Sequence, residues 1–510
     1  MPLQATSGAA SYDAFGGGVP VVPQYIEDVF STYLYTGTGA AQTITNGIDL
    51  AGKGGLVWTK CRSLAEANML FDTERGIYNR IFSNSTNAQS TSTNTLTAFN
   101  SDGFSIGDNN IFNTSGSTNA SWTFRKQPKF FDVVTWTGTG SNTTISHNLG
   151  SVPAMIIVKK TNGAGDWWTY HQSLGNTQFL RLNTTASAGT SATIWNSTTP
   201  TSSVFSLGNT SANAIDDSYV AYLFAHDAGG FGLTGTDNVI SCGSFTPNAS
   251  GQATVNLGYE PQLILYKNAA ASGDWYIYDT MRGWGQTTAK FLVPNLSQAE
   301  SENAGSPYFF FPTATGFQST NDWFAASQAH IYIAIRRGPM KVPTDATKVF
   351  TPVQNSNFTA GVVISGQSRV DMSWSKQKDG ANSMRIFDRL RGSSQFTNLS
   401  LFPNSTGAES NSAIWALDEQ NGVRITDSIG TLNYINYFYT RAPSFFDEVC
   451  YTGTGSAQNV THNLGVIPSF IVCKSRNVTA NWCALAGKSN GTYESFYLNG
   501  TVGTLYTAPS

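Results

Sequence analysis

Apolar residues along this chain come in short runs broken by Gly, Asn, Ser, Thr and Pro, and convincing amphipathic helices are absent. Continuous runs such as Ala154-Met-Ile-Ile-Val158 and Leu263-Ile-Leu-Tyr266 are what a central strand covered on both sides requires. Val133-Val-Thr-Trp136 and Tyr437-Phe-Tyr439 are rich in β-formers, and a Gly-Thr-Gly reversal follows the first strand of several segments. Pro153, Pro261 and Pro468 each stand just before an apolar strand, where a missing N–H does no harm. Ser63–Met69 offers at most one helical turn. The pattern predicts an all-β protein with roughly seven to nine strands per hundred residues, the size of a two-sheet antiparallel sandwich of immunoglobulin-like or jelly-roll type.

The same pattern repeats. Tyr35-Thr-Gly-Thr-Gly returns as Trp136-Thr-Gly-Thr-Gly and as Tyr451-Thr-Gly-Thr-Gly. Strand-like runs then end in Lys60, Lys159, Lys267, Lys376 and Lys474, at spacings of 99, 108, 109 and 98 residues. An aromatic–polar–x–x–x–Gly element keeps phase at Phe71–Gly76, Tyr170–Gly175, Tyr278–Gly283 and Phe387–Gly392. A closing aromatic strand follows at Trp122–Phe124, Tyr222–Phe224, Tyr332–Ile335 and Tyr437–Tyr439. The chain divides into an extended N-terminal arm (1–30) and a tandem array of sandwiches A (31–129), B (130–235), C (236–342), A′ (343–444) and B′ (445–510).

A longer period lies over the shorter one. Phe71-Asp-Thr-Glu-Arg-Gly matches Phe387-Asp-Arg-Leu-Arg-Gly, and His147-Asn-Leu-Gly matches His462-Asn-Leu-Gly, so a three-unit module recurs at an offset of 315 to 316 residues. B′ covers only part of a unit. The expectation is that the native chain continues past Ser510, or that another chain completes the last sandwich.

Charged residues make up 12% of the chain, about half the share usual for soluble proteins, and aromatics 13%, which excludes a disordered chain. A net charge of −3 leaves no electrostatic footprint for nucleic acid, and no apolar stretch suggests membrane insertion. The start lacks the basic and apolar regions of a signal peptide. The five cysteines lack metal-site spacing and read as reduced core thiols of a protein made in a cytoplasm.

Catalytic chemistry is not visible, and the sequence points to no enzyme, no cofactor and no metal site. Gly47–Lys53 resembles a phosphate-binding loop, but Gly54 follows the lysine and the segment precedes a strand rather than a helix. His147 and His462 occupy equivalent places without an accompanying nucleophile or carboxylate pair, and read as turn histidines. Asp166 and Asp216-Asp217 are too few carboxylates for a Ca²⁺ loop. Asn-x-Ser/Thr triplets, as at Asn84 and Asn183, read as compositional. One ligand hypothesis is available. Asp166, Trp167 and Trp168, Asp274, Trp275 and Tyr276, and Asn481 with Trp482 share phase, and tryptophan beside a carboxylate or amide is suited to stacking on a sugar. The competing reading is that Trp167, Trp275 and Trp482 open a buried strand, and their burial decides between the two. In the arm, Tyr12, Phe15 and Tyr25 have little use in a free tail and suggest an anchor that orders against a partner.

Residues 45–58, Phe99-Asn-Ser-Asp-Gly-Phe104, residues 121–132, residues 147–159, and the opening Ser11-Tyr-Asp-Ala-Phe-Gly-Gly-Gly with Tyr25-Ile-Glu-Asp-Val-Phe resemble repeat-containing virion structural proteins of marine tailed phages, including phages of cyanobacteria. The likeness is strong over units A and B and partial over B′. It implies a tail-fibre-like virion protein, made in the host cytoplasm, that docks by its N-terminal arm on other virion proteins and extends sandwiches toward the host surface. A homo-oligomer, as a trimer, and a host-surface glycan are the implied partners. The alternative is a head or tail decoration protein without a receptor.

Overall fold

The computed structural model describes residues 22–285, 288–304, 309–320, 323–356, 358–366, 369–392, 399–411, 414–428, 432–488, 491–500 and 506–507. Strands take 41% of the described residues and helix 2%, in many small antiparallel sheets, so the protein is all-β. The only α-helical turn among the described residues is Asn110–Asn113, N-capped by Asn109, rather than the Ser63–Met69 stretch. No helix among them is long and apolar enough to cross a membrane.

Unit A shows the plan. Its strands are β1 (Phe30–Thr36), β2 (Gln42–Thr45), β3 (Gly55–Cys61), β4 (Met69–Asp72), β5 (Asn79–Phe82), β6 (Ser90–Thr91), β7 (Leu96–Asn100), β8 (Gly103–Ile106) and β9 (Thr118–Arg125). They form a large sheet in the order β1-β9-β3-β4-β5-β6 and a small sheet β2-β8-β7. Units B and C repeat the six-stranded sheet in the same order, and A′ repeats its first four strands. The first strand pairs only with the last, which arrives some ninety residues later, so no unit is complete until its closing strand is in place. At the start of β8, Gly103 lies in the positive-φ region at 152°, and a Cβ there would fall 1.9 Å from the Ile44 carbonyl oxygen. Only glycine lets β2 approach so closely.

Strands β3 and β9 are buried along nearly their whole length, as are Pro261–Asn268 and His330–Arg336 in unit C. One small sheet can cover only one of their faces. In unit A the face toward the small sheet carries Val57, Met69 and Phe71 in a core with Ile44, Phe104 and Ile106. The opposite face carries Phe30, Leu34, Leu56, Trp58, Ala120, Trp122 and Phe124, and these join a single core shared with residues of units B and C, among them Phe131, Ile157, Tyr222, Ile240, Leu265 and Ile333. Three large sheets therefore pack face to face. The units are not beads on a string; A, B and C form one body with a common interior.

Unit A′ (strands within 350–439) has the same sheet but alternating burial along Met372–Gln377 and Tyr434–Tyr439. Unit B′ consists of one four-stranded sheet, Phe470–Cys473, Cys483–Gly487, Tyr493–Tyr497 and Tyr506–Thr507. The counterpart of its first strand, around Asp447–Thr452, is not in a strand, and among the described residues it has no closing strand to pair with. All five cysteines are free, and only Cys61 and Cys242 are core thiols. Cys473 and Cys483 face each other across adjacent strands of B′.

Candidate functional site at the unit boundaries

The repeated lysines end the third strand of each unit, and their role is visible in three dimensions. Lys159 of unit B donates from Nζ to the carbonyl of Gly165, six residues on, at 3.1 Å and to the carbonyl of Thr86 in unit A at 3.1 Å. Lys267 of unit C donates to Gly273, again six residues on, at 2.6 Å and to Thr185 in unit B at 2.9 Å. Lys60 of unit A donates to Glu66, six residues on, at 2.7 Å and to Ser297 in unit C at 3.2 Å. Each unit thus reaches the one before it, and the first reaches the third. Equivalent contacts that return to their starting point after three steps define a closed ring.

The tryptophans sit beside these lysines. Trp167 donates from its indole Nε1 to Phe82 and Ser85 of unit A at 3.0 and 3.1 Å, and Trp275 donates to Arg181 of unit B at 3.0 Å. Asn68 holds the corresponding place in unit A and donates to Val293 and Leu296 of unit C. Trp482 of B′ donates to Phe402 and Ser405 of A′ at 2.9 and 3.1 Å. Trp167, Trp275 and Trp482 are 0%, 1% and 4% exposed, so no ring face is offered to a sugar. The neighbouring polar groups are occupied as well. Asp166 pairs with Arg181 at 2.9 Å and accepts from Asn183, Asp274 accepts from Asn295, and Asn481 accepts from Asn499. Trp168 lies under the Arg181 guanidinium at 4.8 Å, and Tyr276 stacks on Tyr266 at 5.3 Å. The glycan-stacking reading of Trp167, Trp275 and Trp482 is corrected to a boundary role, because the polar edge of each ring is satisfied by backbone carbonyls of the preceding unit.

What the tryptophans and lysines grip is a turn that the sequence hid under another motif. Asn84, Asn183, Asn295 and Asn499 each accept, through Oδ1, the backbone N–H that opens the fourth strand, from Asn68, Trp167, Trp275 and Trp482. Each belongs to an Asn-x-Ser/Thr triplet whose third carbonyl receives the lysine in the ring: Thr86, Thr185 and Ser297. These triplets are a repeated structural turn, not a compositional accident, and the constant phase between them and the lysines was the signal that could have shown it.

A second set of contacts lies deeper. Tyr222 of unit B donates to Asp72 of unit A at 2.7 Å, and Trp122 of unit A donates to Asp279 of unit C at 3.1 Å. His171 of unit B is within 3.2 Å of the Tyr332 carbonyl in unit C. In unit C, Ile333 and Ile335 face the shared core while Tyr332 faces its own sandwich, so the closing-strand landmark there is displaced by one residue. Burial dominates the electrostatics of this interior. It lowers Lys60, Lys159 and Lys267 to about 8 each, and lowers the fully buried His171 to about 4. A lysine titrating near neutrality is a feature of some nucleophilic sites, but these three amines are fully buried and bound to carbonyls.

Ring and second module are joined by buried ion pairs. Asp418 of A′ meets Arg62 of unit A, Lys290 of unit C and its own Arg424. Arg441 forms a two-pronged pair with Glu260 of unit C at 2.9 and 2.7 Å. Arg389 donates to the carbonyls of Thr280 and Met281. The beginning of the chain is tied to the same junction. Glu27 accepts the backbone N–H groups of Met340 and Lys341, and the Lys341 ammonium lies 5.2 Å from the Tyr25 ring centroid. Tyr25, of the set read as an anchor, is a half-buried part of the body at this junction; Tyr12 and Phe15 lie outside the described residues.

The remaining chemical candidates have local roles. His147 accepts from the Leu149 N–H at Nδ1, and His462 accepts from Leu464 in the same way, as turn histidines do. Asp217 pairs with Lys160 at 2.6 Å. Gly47–Lys53 forms a turn between strands in which Asp49 accepts the Gly52 N–H. A surface depression of about 480 Å³ on unit C is lined by Phe245, Asn248, Gln252, Thr254 and other uncharged residues. No group of three or more His, Cys, Asp or Glu side chains arranged for a metal exists among the described residues.

A family model described as a domain of unknown function (DUF7483) matches residues 26–339 and 440–507. The first stretch takes in the closed ring, and the second takes in B′. No curated protein matches the chain.

Proposed function

We propose a function from the fold and its boundaries, since the chain belongs to the DUF7483 family and that family's function is unknown: it is a structural component of a virus particle, a tail-fibre-like appendage protein rather than an enzyme. The observation that carries the reading is the ring closed by Lys60, Lys159 and Lys267. Appendages of this kind are commonly built around a symmetry axis from several chains. Here one polypeptide supplies three equivalent sandwiches around a common core. The groups that elsewhere do chemistry, such as buried lysines, a buried histidine and paired Arg and Asp, act in this chain as fasteners between units. The sequence likeness to virion proteins of marine tailed phages agrees with this role, and the partners it implies are other virion proteins.

A decoration protein of head or tail is the second reading, favoured by the ion pairs that fold A′ back onto units A and C, which shorten the body instead of extending it. Locating the chain in a reconstruction of the particle tests both. Density at tail appendages is expected. A regular capsid lattice would favour decoration, and absence from the particle would overturn both.

A further inference from the structure

The junction between unit C and A′ is rich in arginine in a chain that has few charges. Strand register places Asp371, Arg389 and Arg441 of A′ where unit A has Gly55, Thr73 and Lys126. In unit A that end of the sheet is open to water, and Lys126 pairs with the part-exposed Glu74 at 2.7 Å. In A′ the same end is buried against unit C, and Asp371, Arg389 and Arg441 are all buried. The charges therefore belong to the junction and not to the repeat.

Their signs do not balance. Arg337, Arg369, Arg389 and Arg441 share three carboxylates, those of Glu260, Asp371 and Asp447. Arg441 takes both oxygens of Glu260 at 2.9 and 2.7 Å and lies 2.9 Å from Asp447. Arg369 and Arg389 lie 3.0 and 3.6 Å from Asp371, and Arg389 directs its N–H groups at the carbonyls of Val370, Thr280 and Met281. The nearby Asp388 and Asp279 have arginines of their own, Arg391 and Arg282. Glu448 adds no charge, because burial and the neighbouring Asp388 hold its carboxyl well above the usual range. Four cations against three anions leave one positive charge in excess.

The excess falls on Arg337. Its side chain is 9% exposed, its Nη2 lies 3.4 Å from Asp447, and its Nε is 3.2 Å from a Glu260 oxygen without pointing an N–H at it. Nε and Nη1 are both buried with no acceptor among the described residues. Burial, and then the like charge of Arg441, lower the pKa of this guanidinium. Arg337 lines a cavity of about 10 Å³ together with Glu260, Thr280, Asp371, Arg389 and Arg441. That volume takes one ligand of roughly the size of a water. A water would accept an N–H and leave the charge uncompensated, whereas a monovalent anion answers both needs. Phosphate and sulfate are too large for the space. We propose that this cavity binds a single chloride ion, which accepts the unpaired N–H groups of Arg337 and fastens A′ to unit C.

An ion held only by the closed junction stabilises it in proportion to its concentration above the dissociation constant. Amide hydrogen exchange of the 510-residue chain is compared in sodium chloride and in sodium gluconate, each at about 150 mM, since gluconate is too large for the cavity. The N–H groups of Arg389 and Arg441 donate to the Asp371 carbonyl and carboxylate at 2.7 and 2.8 Å, across the site. They should exchange at least about threefold more slowly in chloride, while Gly55–Cys61 is unchanged. Arg337→Met should remove the difference. A second measurement does not depend on how that variant folds. Bromide replaces chloride and is located by its anomalous X-ray signal, and crystals of the unaltered chain in bromide should show a peak beside Arg337. Equal exchange in the two salts overturns the proposal, as does a cavity that holds water when bromide is present. A bromide peak without the exchange difference marks an adventitious ion only, and overturns it as well.

Discussion

The Nζ of Lys60 lies 3.2 Å from the carbonyl oxygen of Ser297, which joins the first sandwich to the third and makes a ring of what is a line in sequence. The amine also serves the carbonyls of Cys61 and Glu66, so its removal would leave buried acceptors without a donor. Lys60→Met keeps the stem and removes the charge. It is expected to cost about 2–4 kcal/mol in chemical denaturation, with faster amide exchange around residues 293–300. Lys53→Met, at an exposed turn one strand earlier, is the control and should stay within about 0.5 kcal/mol.

Trp167 separates hydrogen bonding from packing at the A–B boundary. Trp167→Phe keeps most of the buried ring but withdraws the N–H from Phe82 and Ser85, at a cost of about 1–2 kcal/mol. Trp167→Ala opens a cavity in the shared core and should cost about 3–5 kcal/mol. Thermal or urea unfolding gives both values. Titration of the native protein with oligosaccharides should leave the fluorescence of Trp167, Trp275 and Trp482 unchanged, since their rings are sealed between units; quenching of these residues would contradict the boundary role.

The buried imidazole of His171 gives the B–C boundary a pH dependence of known sign. Its pKa falls from 6.5 to about 4 because burial disfavours the cation. The unfolded chain therefore takes up a proton between these values while the folded chain does not. Stability from this group is complete above about pH 6.5 and declines as the pH drops toward 4, by about 3 kcal/mol in all. His147 and His330 are shifted in the same direction, also by burial. Denaturation series at pH 7.5, 6 and 4.5 should show the decline, and His171→Gln should flatten most of it relative to its own value at pH 7.5.

The all-β class was legible in the sequence, because strand periodicity and turn residues are local properties. The module of three was also legible, from Phe71–Gly76 against Phe387–Gly392. Closure was not, since a repeat gives the number of units and is silent on which faces meet. One clue lay in the runs themselves. Leu56-Val-Trp-Thr-Lys60 and Leu263-Ile-Leu-Tyr-Lys267 are apolar on both faces, and a sandwich covers only one. Met372-Ser-Trp-Ser-Lys376 keeps large residues on one face and serine on the other, with both serines buried. The tryptophans were ambiguous for a related reason. Trp beside Asp at a loop end looks the same whether the ring meets a sugar or the preceding unit's carbonyl, and only the position of the neighbouring unit separates them.

Asp418 offers the sharpest test of how the second module is held. Its side chain is fully buried and lies between Arg62 of unit A, Lys290 of unit C and Arg424 of its own unit. Those three cations, against the burial that opposes ionisation, hold its carboxyl far below the usual aspartate range. Asp418→Asn keeps the shape and removes the charge. Arg62 retains Glu300 through two hydrogen bonds of 3.0 and 2.8 Å, so the loss falls mainly on Lys290. Breaking a buried pair from one side typically costs about 3–5 kcal/mol, because the remaining charge is left uncompensated. The cost should appear as early unfolding of A′ and B′, seen in the amides of Met372–Gln377, while Gly55–Cys61 keeps its protection. Because the folded pKa is depressed, the wild-type contribution is complete above about pH 4 and fades only below it, so the gap between wild type and variant should narrow in acid. Salt should change it little, as the pair is shielded from mobile ions. A variant whose two modules still unfold together at the wild-type midpoint would show that Asp418 is not what joins them.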